Sequence, residues 1–127
     1  MRVLIAARDV RVRRALSRLL ELDGHRIVGT TDAPRRLPQL DAEVGPDLVM
    51  LELDRPQDPQ DPQDLLVIEG LARRGRRVIA VCSGPASRAA VLAAGARACL
   101  DTDAGFADRL AEAVRAVAGP RMSAPPA

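Results

Sequence analysis

The stretch DLVMLELD, residues 47–54, sets one carboxylate, Glu52, among the apolar residues Leu48–Leu51 and Leu53. A carboxylate so placed could act as a nucleophile, a metal ligand or a fixed charge, and its neighbours decide which. Few other residues have chemical potential. Arg8 and Asp9 follow the apolar run RVLIAA (2–7), Cys82 and Ser83 close RVIAVCS (77–83), Cys99 and Thr102 lie in ACLDT (98–102), and His25 is the only histidine. A Mg²⁺ phosphotransfer site takes one or two carboxylates together with waters and phosphate oxygens. Glu52 with only Asp9 near it is a thin set, and Arg8 in the same space opposes a cation. No GxGxxG or GxxxxGKS/T loop follows the first apolar run, so a nucleotide site has no support. His25 precedes the second strand, at the other end of a sheet from Cys82 and Ser83, and reads as a surface histidine rather than a catalytic base. Cys82 and Cys99 fall on neighbouring strands and offer either a redox pair or two buried structural thiols; the second is expected.

These residues are positioned by alternating apolar runs and helix-period stretches. RVLIAA is short and continuously apolar, the mark of a strand covered on both faces. Val12, Ala15, Leu16, Leu19 and Leu20 recur at helical spacing between arginines and predict an amphipathic helix ending at Asp23–Gly24. A second strand is expected at 25–30, and a weaker helix at 33–44, where Pro38 threatens the interior. DLVMLEL is the third strand. The apolar-free repeat QDPQDPQD (57–64) predicts a loop with no recognition role. A short helix (65–75), a fourth strand (77–83), an alanine-rich helix (87–94), a fifth strand (98–102) and a last helix beginning near Phe106 complete the series.

Strands that are apolar throughout and joined by helices mean βαβ units. The fold class is α/β, a flavodoxin-like, doubly wound, five-stranded parallel sheet of order 2-1-3-4-5 with helices on both faces. Its ligand crevice lies outside the carboxyl ends of strands 1 and 3. Ala7, Arg8 and Asp9, Glu52 to Arg55, Cys82 and Ser83, and Asp101 to Asp103 all fall at that edge.

A chain of 127 residues fits one domain, taken as 1–118 with a tail or linker stub at 119–127. Phe106 is the only aromatic, so the core must be aliphatic. All 19 basic residues are arginine, against 17 acids, and lysine is absent. Charge is segregated: residues 37–69 carry nine acids and one arginine, while each flanking segment carries nine arginines and four acids. Without lysine clusters, stacking aromatics or a helix-turn-helix, the arginines read as solvated helix faces, and direct nucleic-acid binding is not expected. Two cysteines make neither a disulfide framework nor a zinc site and suit a reducing compartment. With no signal pattern and no membrane-length apolar run, a cytoplasmic protein away from membranes is expected.

In order and over nearly the whole chain, MRVLIAARDVRVRRALSRLLE, PDLVMLELDRP, VIAVCS and AGARACLDTDA resemble a response-regulator receiver domain of two-component signalling. The resemblance implies an acid pair for Mg²⁺ at the end of strand 1, where this chain has Ala7 and Arg8, a one-residue slip supplying only Asp9. It places the phosphoacceptor aspartate at Glu52, the strand-4 Ser/Thr at Cys82 with Ser83 beside it, the switch aromatic at Cys99 and the strand-5 lysine at Thr102. Metal ligands and cation are missing together, so neither Mg²⁺ nor phosphoryl chemistry is expected, and no catalytic residue is assigned.

Three readings of Glu52 stay open. It mimics phospho-aspartate, reaching toward Cys82 with one charge; it pairs with Arg8 in the vacated metal position, so that Arg8→Ala would strongly destabilise the domain; or it is partly hydrated and idle. By the same resemblance the last helices and strand 5 form the binding surface, here carrying Arg88, Arg97, Asp101, Asp103, Arg109, Glu112 and Arg115. Their mixed signs suit either a two-fold homodimer interface or ordinary solubility. Two functions follow: a phosphorylation-independent interaction module docking on a partner protein or output domain, or a small-metabolite sensor that uses the emptied crevice through Arg8.

Overall fold

The computed structural model describes residues 1–53, 62–82 and 85–122. Strands β1 (Arg2–Ala6), β2 (Arg26–Thr31), β3 (Leu48–Glu52), β4 (Arg77–Val81) and β5 (Ala98–Leu100) alternate with helices α1 (Val10–Leu22), α2 (Leu37–Val44), α3 (Pro62–Arg73), α4 (Pro85–Ala94) and α5 (Phe106–Met122). All strand pairs are parallel and the sheet order is β2-β1-β3-β4-β5, as the βαβ pattern predicts.

Side chains alternate across a strand, so each central strand feeds two cores. Leu4, Ala6, Val49, Leu51, Val78 and Ala80 pack against Leu37 of α2, Ile68 and Leu71 of α3 and Val91 of α4. Val3, Ile5, Leu48, Met50, Ile79 and Val81 pack against Leu16 and Leu20 of α1 and Leu110, Val114 and Val117 of α5. This is why β1 and β3 read as unbroken apolar runs rather than alternating ones. Leu16 and Leu20 of the predicted α1 stripe are buried, Val12 and Leu19 are partly so, and Ala15 lies at the solvent edge.

Several boundaries differ from the sequence pattern. The helix expected over 33–44 is split into a 3-10 turn at Pro34–Arg36 followed by α2. Pro38 thereby becomes the second residue of α2, where its missing N–H has no intrahelical partner to lose. Gly45 closes α2 in the left-handed region, φ +56°. The last three residues of the predicted 57–64 loop, Pro62–Asp64, form the first turn of α3, with Pro62 at the favoured opening position; residues 57–61 lie outside the described residues. β5 stops at Leu100, so Asp101 and Thr102 follow the strand instead of ending it. α5 runs through Met122, making the first four residues of the expected tail helical.

Gly95 sets the distance between α4 and α3. Its φ is +118°, and a Cβ there would sit 2.7 Å from the Cβ of Ala72. On the opposite side of that helix layer, Asp41 of α2 is 1% exposed and faces Arg76 Nε at 2.7 Å and Arg74 Nη1 at 3.3 Å. The Arg76 contact is a close ion pair at an angle that makes no hydrogen bond. These charges tie α2 to the turn between α3 and β4.

Candidate functional site at the carboxyl edge of the sheet

The sheet order puts β1 beside β3, with α1 leaving β1 on one side and α3 following β3 on the other. Ala7 is fully buried; its N–H donates to Thr31 O at 3.0 Å and its carbonyl accepts from Arg13 Nη1 at 2.8 Å. The backbone at the end of β1 is therefore pinned, and Ala7 offers no donor to a ligand.

Asp9 is the N-cap of α1. Its extended backbone (φ −79°, ψ 121°) lets Oδ1 accept from the N–H of Arg11 at 2.8 Å, satisfying a donor the helix leaves open. Oδ2 lies 3.5 Å from Arg11 Nη2. The backbone N–H of Arg11, then its guanidinium, hold the Asp9 carboxyl below its ordinary value. Asp9 also donates its own N–H to Glu52 Oε1 at 3.4 Å, so the loop after β1 touches the acid at the end of β3.

Glu52 is 9% exposed and is the last residue of β3, in register with Val81 of β4. Next to it, Leu53 N–H donates to Val81 O at 2.8 Å and holds the chain against β4 past the end of the strand. The sequence pattern names one acid, Glu52, as a partner for Arg8; the fold supplies a second. Arg8 Nη2 lies 3.8 Å from Oδ1 of Asp64, a residue 6% exposed in the first turn of α3. Asp64 sits in the tripeptide repeat, where local composition hides it. The signal that could have found it is its place just after a proline able to open a helix, since first-turn acids are favoured there.

Cys82 and Cys99 are joined as a disulfide, with Cα atoms 6.4 Å apart at a sequence separation of 17. This corrects the expectation of two separate buried thiols: the β4–β5 ladder sets Cys99 against Ala80, two residues before Cys82, and both sulfurs turn into the same core. Inference from unpaired cysteines to a reducing compartment loses its premise, and no S–H remains at Cys82 to answer Glu52. Thr102 is exposed beyond β5, and Ser83 lies outside the described residues. No helix among the described residues is long and apolar enough to cross a membrane.

For a divalent cation the crevice offers few donors. Ala7 has none, Arg8 brings a positive charge beside Asp64, and Asp9 is committed to capping α1. Among the described residues no three His, Cys, Asp or Glu side chains are grouped closely enough to hold a metal ion.

Of the surface residues singled out by resemblance, Arg88, Arg97, Asp103, Arg109, Glu112 and Arg115 are exposed and Asp101 is half-buried. Arg109 pairs with Asp103 and also donates to the Asp101 carbonyl, tying the β5–α5 connection to α5.

Comparison with protein-family models and with curated proteins finds no match. Solved structures do match. The receiver domain of the response regulator NarL from Mycobacterium tuberculosis is 22% identical, over 93% of this chain and 96% of that one, with a TM-score of 0.74. A LuxR-family two-component response regulator from Aurantimonas sp. SI85-9A1 is 22% identical over 93% and 85%, at 0.78. The response regulator domain of Thermotoga maritima CheB is 18% identical over 98% of both chains, at 0.75. The chain has the receiver-domain fold.

Proposed function

We propose that this chain is a signal-transduction module of receiver type that works without phosphorylation, by binding a partner protein or output domain. The observation that carries this reading is the use of the crevice charges within the chain itself. Asp9 caps α1, Arg8 sits against buried Asp64, and Glu52 is covered at the end of β3 and contacted by the loop after β1. Phosphoryl transfer needs a metal, a nucleophilic carboxylate and a cation aimed at the developing charge. Here the acid pair position holds Ala7 and Arg8, and the chain has no lysine. A resident Mg²⁺ is not part of this reading, and the module is an interaction domain rather than an enzyme.

Arg88 and Arg97 around α4, with Glu112 and Arg115 on α5, are the exposed charges of the surface we assign to the partner or to a second copy of the chain. Arg109 bonds to the Asp103 carboxylate and to the Asp101 carbonyl, so Arg109 and Asp103 shape that surface more than they extend it. The module is placed in the cytoplasm, where receiver-type signalling works. A metabolite sensor built on Arg8 is less well supported, because a guanidinium beside a buried carboxylate has part of its charge already answered.

The test is incubation with acetyl phosphate and Mg²⁺, read by intact mass, alongside thermal melts with Mg²⁺ and beryllofluoride. No phosphate adduct and unchanged melts are expected. A phosphate found on Glu52, or a Tm raised by beryllofluoride, would refute the reading.

A further inference from the structure

The disulfide lies at a point where a change in covalent state reaches the surface. β5 has three residues and is an edge strand, paired with β4 through Ile79–Ala98, Ala80–Cys99 and Val81–Leu100, with Arg97 N–H donating to Val78 O at 2.7 Å before the first rung. Past the last rung, Cys82 N–H donates to Leu100 O at 3.0 Å. Among the described residues Cys82 is thus the last beyond β4 that is bonded to β5, and Cys99 is the middle residue of the strand being held. Both are 3% exposed and belong to the core that also contains Val91 of α4 and Ala96. Such a short edge strand draws little stability from its own ladder, so the cross-link is a large share of what fixes it. In the cytoplasm, disulfides of this kind are as a rule transient, catalytic or sensing.

We infer that Cys82 and Cys99 form a reversible redox site, whose ligand class is a small or protein-borne dithiol and its oxidised form. The thiolate of the reductant attacks one sulfur of the bridge, the other leaves as a thiolate, and the second thiol of the reductant resolves the mixed disulfide. Two electrons and two protons pass to the chain, giving two thiols, and the reductant ends as a disulfide. Oxidation is the same exchange reversed. Burial of both sulfurs requires the β4–α4 end to open before attack, so local unfolding controls the rate. Reduction releases the end of β4 from β5 and loosens the edge on which α4 rests. The inference rests on the proposed cytoplasmic setting and not on the state of Glu52, so thiol chemistry and phosphoryl transfer test the two separately.

The full chain is equilibrated in dithiothreitol redox buffers, alkylated and weighed, and its amide hydrogen exchange is compared in the oxidised and reduced forms. Expected are a single reversible two-thiol titration, a fall in Tm on reduction on the order of 10 °C, and faster exchange in β5 and α4 with β1 and β3 unchanged. A Cys82→Ala and Cys99→Ala double variant should exchange like the reduced chain under both conditions; should it fail to fold, the reduced wild-type chain supplies the same comparison. Two alkylated thiols after oxidised dithiothreitol would overturn the inference. So would a bridge that forms but leaves exchange in β5 and α4 unaltered, since it would then be a static staple.

Discussion

The guanidinium of Arg8, at the end of β1, lies 3.8 Å from the buried carboxylate of Asp64 in the first turn of α3. The contact joins the loop after β1, whose Asp9 N–H reaches Glu52, to the first turn of α3. Arg8 is 38% exposed, so solvent screens part of the attraction. A double-mutant cycle of Arg8→Ala and Asp64→Ala, followed by urea unfolding, should give a coupling of about 1 kcal/mol. Strictly additive variants would show that the pair contributes nothing to stability.

Asp9 links the crevice to acid stability. Its pKa is lowered in the folded chain, so its contribution is complete above the ordinary value of 3.8 and is lost as pH falls through the lowered value. Melting of the wild-type chain should therefore fall more steeply with acidification below that value than melting of Asp9→Ser, which keeps a capping oxygen but does not titrate. Parallel curves would remove Asp9 from the acid response.

Asp41 makes a prediction about structure rather than function. Replacing it by Ala leaves Arg76 and Arg74 without a carboxylate they share. Because those arginines are 33% and 51% exposed, water recovers part of the loss. Destabilisation of about 2 kcal/mol is expected in urea unfolding, and Asp41→Asn should recover only a fraction of it. A neutral Asp41→Ala would mean that α2 is held by its apolar face alone.

Gly95→Ala puts a methyl 2.7 Å from Ala72 Cβ and forces an alanine to φ +118°. A loss of about 2 kcal/mol or more follows. Adding Ala72→Gly relieves the collision but not the backbone strain, so the double variant should melt above the sum of the two single effects.

The strands and the sheet order were legible because β1, β3 and β4 are buried on both faces, and burial writes itself as unbroken Val, Leu and Ile runs. The crevice edge was legible for the same reason: topology alone places Arg8, Asp9 and Glu52 at one end of the sheet. What the sequence hid was held by contacts between distant segments. Asp64 follows Arg8 only after two strands and two helices and looks like one repeat acid among several. Asp41 appears as a polar residue of a weak helix until Arg74 and Arg76 fold back on it. The bond between Cys82 and Cys99 depends on a diagonal offset between neighbouring strands, which a spacing of 17 residues does not reveal.

The sheet divides the interior into two compartments that share a wall and no contents. Met50 and Leu51 are adjacent in sequence, yet a cavity at Met50 would be felt by α1 and α5 and one at Leu51 by α2 through α4. Both sulfurs of the bridge belong to the second compartment. A protein that senses the thiol state of this chain would therefore do so from the flank where α4 is exposed, while the opposite flank would stay deaf to it.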